Sequence, residues 1–310
     1  MVKFLYLLAK EIRVRQWLKN LVLFAAIVFT GQLFNPELFL TTIKAIVVFC
    51  LISSSIYLIN DIIDIPKDRL HPFKKLRPLA SGQISIPTAM TISISFLIIG
   101  LGSSFLFFPK PFFFVTGAFV LLELSYTFFL KHIELLDVIA IAGAFILRVF
   151  AGEAATGFHI NIWLFLTVVS IALFLAIGKR RGELTLLLGE SKTRHTLSHY
   201  SEKMLDVYLS IFATSTWLSY AFYTFLEKPP VLRNTFGNFL DDNLPIFSER
   251  KWLMLSVPFV IYGIMRYLQL IYEKKQGESP EKILLSDRPL IIAIILWGLV
   301  IIGVIYIVGK

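Results

Sequence analysis

Three carboxylates follow one another at helical spacing near the end of the second apolar stretch of this chain. They are Asp61, Asp64 and Asp68, and Asn60 adds an amide oxygen directly before them. Spacings of three and four residues place side chains on one side of a helix, so these oxygens can point toward one spot. Oxygen ligands of this kind suit Mg²⁺, which takes one or two carboxylates together with substrate phosphates. The four residues are therefore the predicted metal ligands, and the three aspartates are predicted to be catalytic.

Basic side chains and a proline surround the third aspartate. The basic residues are Lys67, Arg69, Lys74, Lys75 and Arg77. They offer cations to the phosphates of a metal-bound substrate, which favours a Mg²⁺-diphosphate site. A second interpretation stays open, because a charged cytoplasmic loop can simply orient a membrane protein. Pro66 disfavours helical geometry at the residue before it, so we expect the helix to end near Asp64 and the loop to place Asp68.

The composition of the chain predicts a membrane protein. Of its 310 residues, 56% are hydrophobic and 16% are charged, and the net charge is +9. A water-soluble domain of this size cannot bury so much apolar surface. The basic residues lie in short loops between apolar stretches, which argues against a nucleic-acid partner and for anionic lipid headgroups or substrates.

The apolar residues fall into nine stretches, and most reach the roughly 20 residues that a spanning helix needs. The stretches are about 18–34, 39–59, 84–108, 111–130, 136–155, 161–178, 204–226, 252–272 and 288–308. The short links after the third and fifth leave no room for another domain, so residues 1–310 are predicted to form a single all-α bundle in the bilayer. Most of the 30 Lys and Arg residues fall on one side. This predicts that the N-terminus and charged loops are cytoplasmic and the C-terminus is outside.

A polar segment before the first stretch admits two interpretations. Trp17 suits the membrane interface, and the basic residues around it can anchor an interfacial helix. Alternatively, this segment forms a cationic stripe that contacts a substrate phosphate, because its polar residues fall on helical stripes: Arg13, Gln16 and Asn20 on one, Arg15 and Lys19 on the other. The second interpretation accounts for Gln16 and Asn20, which anchoring does not require.

The order Asn60-Asp61-x-x-Asp64-x-x-x-Asp68, followed by Arg77-Pro78-x-x-Ser81-Gly82, resembles the first aspartate-rich motif of the UbiA superfamily of intramembrane prenyltransferases. Segments 15–20, 68–74, 126–137, 147–152 and 286–290 look most like the branch of decaprenyl-phosphate phosphoribosyltransferases. Enzymes of that branch transfer 5-phosphoribose from phosphoribosyl diphosphate to a polyprenyl phosphate with the help of Mg²⁺. The resemblance therefore implies a transferase of the cytoplasmic membrane that makes an arabinose-type lipid donor.

The resemblance also implies roles for residues outside the aspartate motif. Tyr126 and Lys131 are expected to contact the donor phosphates, and Asp137 is expected to make a second metal-side or ribose contact. Lys131 and Asp137 are both predicted to be catalytic. Arg148 is expected to bind the 5-phosphate or steady the metal site. The remaining predicted substrate-binding residues are Lys19, Asn20, Tyr57, Lys67, Arg69, His71, Lys74 and Arg77.

The loop after the sixth stretch separates two branches of the superfamily. Aromatic prenyltransferases carry a second aspartate-rich motif there, whereas this chain has Lys179, Arg180, Arg181 and Arg194 and no Asp before Asp206. Arg and Lys can bind a lipid phosphate directly, so the four basic residues are predicted to bind polyprenyl phosphate. Simple membrane orientation is the alternative.

Three functions remain open from the sequence. The preferred one is phosphoribosyl transfer to a polyprenyl phosphate. The alternatives are prenylation of an aromatic acceptor, such as a quinone precursor, and transport or non-catalytic binding of an anionic lipid. A homo-oligomer is compatible with each.

Overall fold

The computed structural model describes residues 2–70, 74–187, 200–227, 251–273, 283 and 286–308. Every regular element among them is helical, which confirms the all-α prediction. The α-helices are α1 (Val2–Glu11), α2 (Ala25–Phe29), α3 (Pro36–Leu70), α4 (Ile86–Phe107), α5 (Lys110–Phe128), α6 (Leu136–Thr156), α7 (Ile162–Leu187), α8 (Glu202–Leu226), α9 (Val257–Tyr272) and α10 (Arg288–Ile302). Short 3₁₀ helices cover Val14–Phe24, Lys74–Leu76, Leu130–His132 and Trp252–Ser256, and a π-helix covers Gly303–Val308.

Seven helical segments are long and apolar enough to cross a membrane. They are Pro36–Leu70, Ile86–Phe107, Lys110–Phe128, Leu136–Thr156, Ile162–Leu184, Trp252–Tyr272 and Arg288–Ile307. The predicted count of nine is thus not confirmed in the described part of the chain. The first predicted stretch is divided between a 3₁₀ helix and α2, and the seventh forms the 25-residue α8, in which Ser and Thr recur.

The described residues form two compact units. The first lies within residues 1–27 and 33–158, and the second lies within 28–32, 159–190 and 200–310. In the first unit α3 packs against α4, α6 and the 3₁₀ helix Val14–Phe24, and α5 packs against α6. In the second, α7 packs against α8 and α9 packs against α10. Organisation as a single domain stays a prediction.

A glycine brings the 3₁₀ helix Val14–Phe24 close to α6. A Cβ atom added at Gly152 would lie 2.2 Å from the carbonyl oxygen of Leu23, and Leu23 is itself fully buried. In membrane proteins small residues allow such close approach of backbones. Gly152 therefore fixes the distance at which the 3₁₀ helix, and the polar side chains on it, face α6.

Helix α3 continues past Pro66 to Leu70. The prediction that it ends near Asp64 is therefore wrong. Tertiary contacts hold the last turn, because Asp68 is buried and Arg69 Nε donates to the carbonyl oxygen of Ala80 at 3.1 Å. Such contacts stabilise the turn against the cost of an internal proline, about 3 kcal/mol. As a result the helix, and not a loop, positions Asp68.

The segment that follows α3 folds back onto it. Leu79 and Ile84 are buried in one cluster with Leu58 of α3. Gly82 allows the tight return, since its φ of 77° lies in the left-handed region that favours glycine. The Arg-Pro-x-x-Ser-Gly sequence is thus a compact turn that presents Arg77 to the end of α3.

Candidate active site

Asp61 lies between two arginines that come from different parts of the first unit. It is 2% exposed. Its Oδ1 atom accepts from Arg13 Nη2 at 2.5 Å and from Arg77 Nη1 at 2.8 Å. The same nitrogen of Arg77 donates to Asp68 Oδ2 at 2.6 Å. Arg77 therefore bridges the first and third aspartates and draws them toward one spot.

Asp64 is paired with a lysine from the segment between α5 and α6. Lys131 Nζ donates to the two carboxylate oxygens of Asp64 at 3.0 and 3.2 Å and to Asn60 Oδ1 at 3.3 Å. Lys131 is 4% exposed. The structure thus joins Lys131 to two residues of the aspartate motif, which was a separate prediction. We call Asp61, Asp64 and Asp68, with Arg13, Arg77 and Lys131, the carboxylate cluster.

Arg148 is tied to Asn20 on the 3₁₀ helix Val14–Phe24. Its Nε donates to Asn20 Oδ1 at 2.9 Å, and its Nη1 donates to the Ala144 carbonyl at 2.9 Å. Its Nη2 lies 3.8 Å from Glu123 Oε1, and its guanidinium lies 4.6 Å from the ring centre of Phe119. These contacts keep a charged side chain inside the helical bundle. They join two predicted substrate-binding residues, whose substrate contacts stay predictions.

Three other predicted residues near the carboxylate cluster differ in their contacts and exposure. The Tyr57 ring lies 5.0 Å from the Arg13 guanidinium, a cation–π contact. Lys74 is close enough to Asp68 for their charges to attract. Lys67, in contrast, is exposed.

Three other predicted residues of the first unit lie on the 3₁₀ helix Val14–Phe24, on α5 and on α6. Lys19 Nζ donates to Gln16 Oε1 at 3.2 Å on its own 3₁₀ helix. Tyr126 is half-buried near the end of α5, and Asp137 is buried in the first turn of α6. His71 and Arg194 lie outside the described residues.

In the second unit, carboxylates hold the predicted phosphate-binding arginines. Arg181 Nε donates to Asp206 Oδ1 at 2.8 Å, and Arg181 Nη2 donates to Glu202 Oε2 at 3.1 Å. Arg180 is 1% exposed and pairs with Glu183. The adjacent Lys179 is half-buried. We call Arg180, Arg181, Glu183, Glu202 and Asp206 the arginine cluster.

Sequence reasoning did not connect Arg13 and Glu11 with Asp61. Arg13 adopts a left-handed conformation, with φ 55° and ψ 51°, where α1 gives way to the 3₁₀ helix. Glu11 is 2% exposed, and its Oε1 has no hydrogen-bond partner in the described part of the chain. Burial, assisted by the charge of Asp61, raises the pKa of Glu11 to about 7. The polar stripe was a signal for Arg13, but a periodicity argument assumes a continuous helix, and no pattern marked Glu11.

The oxygen donors of α3 fit a magnesium ion in kind. Asn60, Asp61, Asp64 and Asp68 offer only hard oxygen ligands from one helix. Among the described residues, no three His, Cys, Asp or Glu side chains, the three aspartates of α3 included, lie so that they form a cage that could hold a metal ion by itself. Mg²⁺ rarely needs such a cage, because it keeps waters and shares phosphate oxygens with its substrate. The donor set therefore suits a metal that is bound jointly with a phosphate compound.

Comparisons with known proteins identify the family and the fold of the chain. Residues 21–183 match the UbiA prenyltransferase family. The chain is 32% identical to the decaprenyl-phosphate phosphoribosyltransferase of Corynebacterium glutamicum, over 96% of this chain and 86% of that protein. It is 29% identical to the protein of the same name from Mycobacterium tuberculosis, over 93% and 90%. The structure of a UbiA homologue from Archaeoglobus fulgidus bound to GPP and Mg²⁺ superposes with a TM-score of 0.68 at 20% identity, covering 96% of this chain and 99% of that one. With several membrane-spanning helices and these relatives, the protein is an integral membrane transferase that belongs to the UbiA prenyltransferase family.

Proposed function

We propose that this protein transfers 5-phosphoribose from phosphoribosyl diphosphate to a polyprenyl phosphate and releases diphosphate. The observation that carries the proposal is its similarity, over nearly the whole chain, to enzymes named decaprenyl-phosphate phosphoribosyltransferase. The carboxylate cluster supports it, since its acidic and basic groups match the two parts of a metal-bound diphosphate.

The carboxylate cluster is proposed to hold the donor. Asp61 and Asp64 would hold the metal with Asn60, and Asp68 would complete the set. When bound, Mg²⁺ supplies Lewis-acid stabilisation of the departing diphosphate. Arg13, Arg77 and Lys131 now neutralise these carboxylates. With the donor in place, the same three cations would turn toward its phosphate oxygens and share the charge that develops on the leaving group.

The acceptor needs little activation by the protein. A polyprenyl phosphate is already ionised at neutral pH, so its oxygen can attack the anomeric carbon without a strong general base. What the protein must supply is a cationic place for that phosphate. The arginine cluster is the proposed place, and the acceptor phosphate would then compete with Glu202 and Asp206 for the guanidinium of Arg181.

The proposed orientation follows from charge. The N-terminus and the carboxylate cluster would face the cytoplasm, because most Lys and Arg residues fall on that side of the predicted spans. The C-terminus would then lie outside. A cysteine placed at each end and labelled with a membrane-impermeant thiol reagent in intact cells tests this assignment.

The experiment that tests the function supplies purified protein with radiolabelled phosphoribosyl diphosphate, Mg²⁺ and decaprenyl phosphate. We expect label to enter the organic phase as a lipid-linked phosphoribose, and chelation of the metal to stop it. A parallel reaction contains 4-hydroxybenzoate and a polyprenyl diphosphate. Prenylation of the aromatic acid without any lipid-linked ribose would refute the proposal in favour of an aromatic prenyltransferase.

A further inference from the structure

A cavity of about 510 Å³ lies in the second unit, away from the arginine cluster. Its lining includes Asn161, directly before α7, and Glu227, directly after α8. Arg181 lies near the other end of α7, which has 26 residues and is therefore about 39 Å long. The cavity and the arginine cluster thus lie at opposite ends of the same helix pair. None of the residues predicted from the sequence to bind substrate lines this cavity.

The carboxylate of Glu227 is held in a fixed position at the cavity. Its Oε2 accepts from Asn161 Nδ2 at 3.1 Å. Asn161 is itself locked, because its Oδ1 accepts from the backbone N–H of Trp163 at 2.8 Å in the first turn of α7. No described residue donates a hydrogen bond to the other oxygen of Glu227, Oε1. A charged acceptor is therefore oriented into the cavity without a described donor of its own.

Tyr223 lines the same cavity one helical turn before Glu227. The residue is 2% exposed, and its ring meets the Phe29 ring edge to face at 5.8 Å between centroids. Its hydroxyl has no hydrogen-bond partner among the described residues. A phenolic hydroxyl can both donate and accept, so this group is available to a ligand in the cavity. Tyr223 and Glu227 together call for a ligand that carries several hydrogen-bond donors.

A positive charge lies beside this acceptor pair. Lys251 Nζ donates to the backbone carbonyl oxygen of Glu227 at 3.0 Å. Its ammonium therefore lies near the carboxylate without being its hydrogen-bonded partner. Lys251 is not part of the cavity lining, but a carboxylate in the lining with an ammonium bonded to the backbone of the same residue is complementary to a zwitterion.

The lining of the cavity combines polar residues, among them Thr30 and His159, with apolar ones. Phe29, Ile160, Leu253 and Ile305 supply much of the lining. The wall formed by residues 28–32 is tied down, since Tyr306 Oη donates to the Val28 carbonyl oxygen at 2.9 Å. Binding sites for small amphipathic molecules commonly combine such an apolar lining with a few fixed polar groups.

We propose that the cavity binds the headgroup of a zwitterionic phospholipid with a primary amine, as in phosphatidylethanolamine. The ammonium, with three N–H donors, would bond to Glu227 and to the Tyr223 hydroxyl. The phosphate would lie toward Lys251, and the glycerol and first methylenes would lie against the apolar walls. A choline headgroup lacks N–H donors, and a glycerol headgroup lacks the cation, so neither satisfies both acceptors.

The proposal is tested by lipid binding to the purified full-length protein. Short-chain phosphatidylethanolamine, phosphatidylcholine and phosphatidylglycerol are titrated separately, and bound lipid is counted by native mass spectrometry. We expect the ethanolamine lipid to bind about tenfold more tightly than either of the others. Equal binding of the three lipids would overturn the proposal.

Two variants and one control locate the site. Glu227→Gln and Tyr223→Phe should each weaken binding of the ethanolamine lipid about tenfold, and Tyr223→Phe keeps the ring packing that folding needs. Glu37→Gln changes an exposed glutamate at the start of α3 and should have no effect. Unchanged binding in both cavity variants would overturn the assignment. Displacement of the lipid by an equal concentration of free phosphoethanolamine would also overturn it, because the site would then recognise a soluble amine and not a lipid.

Discussion

The carboxylate cluster and the arginine cluster use the same residue types in opposite arrangements. In the first, α3 alone supplies the three carboxylates, and the cations come from three separate segments. In the second, Arg181 is central, and α8 supplies both of its carboxylates at a spacing of four residues. Carboxylates fixed on one helix can keep their positions while cations exchange for a metal. An arginine held between two carboxylates is instead prepared for an anion that replaces one of them.

The strongest test of this contrast is Asp64→Asn. The amide keeps the size of the side chain but removes the charge that pairs with Lys131, so metal and donor binding should both suffer. We expect phosphoribosyl transfer to fall by about 10³-fold, comparable to the loss of a major electrostatic contact in an active site. The measurement is the initial rate of label transfer to lipid at saturating substrates.

A charge-matched control accompanies this variant. Glu37→Gln also removes one carboxylate, but from an exposed position, and should keep the wild-type rate. A rate in Asp64→Asn above half of that in the control would contradict the assignment of α3 as the donor-binding helix.

Gly152→Ala should have the next largest effect, a loss of stability. It displaces the 3₁₀ helix Val14–Phe24, which directly follows Arg13 of the carboxylate cluster. The new Cβ would lie 2.2 Å from the Leu23 carbonyl oxygen, so the 3₁₀ helix must move away from α6. Overpacking of this kind costs up to about 3 kcal/mol. The Tm of the detergent-solubilised protein should therefore fall by several degrees.

The matched control is Gly102→Ala in α4, where a Cβ meets nothing within 4 Å. Alanine favours helix at such a position, so the Tm of this control should stay constant or rise. Equal Tm changes in the two variants would show that the close approach of Gly152 to Leu23 does not contribute to stability.

Those parts of the carboxylate cluster that depend only on spacing along α3 could be predicted from the sequence. Helical periodicity placed Asn60, Asp61 and Asp64 on one helix, and the structure confirms this and adds Asp68 to the same helix. The structure pairs Asp61 and Asp68 with Arg77 but Asp64 with Lys131, so the convergence of all three carboxylates on one metal stays a prediction. The same local reasoning failed at Pro66. A proline predicts a helix end only when tertiary contacts are ignored, and here the buried Asp68 and the folded-back segment hold the last turn.

Partners from distant segments could not be predicted from spacing. Arg13 reaches Asp61 because it adopts a left-handed conformation, which its residue type does not indicate. Arg181 is paired with carboxylates that lie on the next described helix, after a long charged segment. From the sequence, the basic residues after the sixth apolar stretch had the charge expected of an unoccupied phosphate site. In the structure, Arg181 among them is instead paired with two carboxylates of the protein itself.

Arg181→Lys tests whether Arg181, although paired with two carboxylates, also binds the phosphate of the acceptor. Lysine keeps the charge but cannot bridge Asp206 and Glu202 in the same fork geometry. We expect the KM for polyprenyl phosphate to rise about tenfold, equivalent to about 1.4 kcal/mol, with kcat and the KM for the donor nearly unchanged. The exposed Arg288→Lys serves as the control. A lower Tm with an unchanged KM for polyprenyl phosphate would contradict the prediction and show that the arginine cluster only stabilises the fold.

The smallest expected effect concerns Glu11, which lies beside the carboxylate cluster but carries no hydrogen bond on Oε1 within the described residues. Its pKa is raised from 4.5 to about 7, mainly by burial. The folded protein therefore binds a proton more tightly than the unfolded chain does at this residue. The contribution of Glu11 to the free energy of unfolding should fall as pH rises from about 4.5 to 7 and should then level off.

Glu11→Gln should remove this contribution to the pH dependence, because glutamine stays neutral throughout. We expect the Tm of the variant, measured from pH 4.5 to 8, to decline less than that of the wild type over the lower part of the range. Above pH 7 the variant should be the more stable protein by about 1 kcal/mol, since it avoids burying a carboxylate next to Asp61. Parallel Tm curves for the variant and the wild type would show that Glu11 stays ionised, and that Arg13 and Arg77 neutralise two acidic residues at this point instead of one.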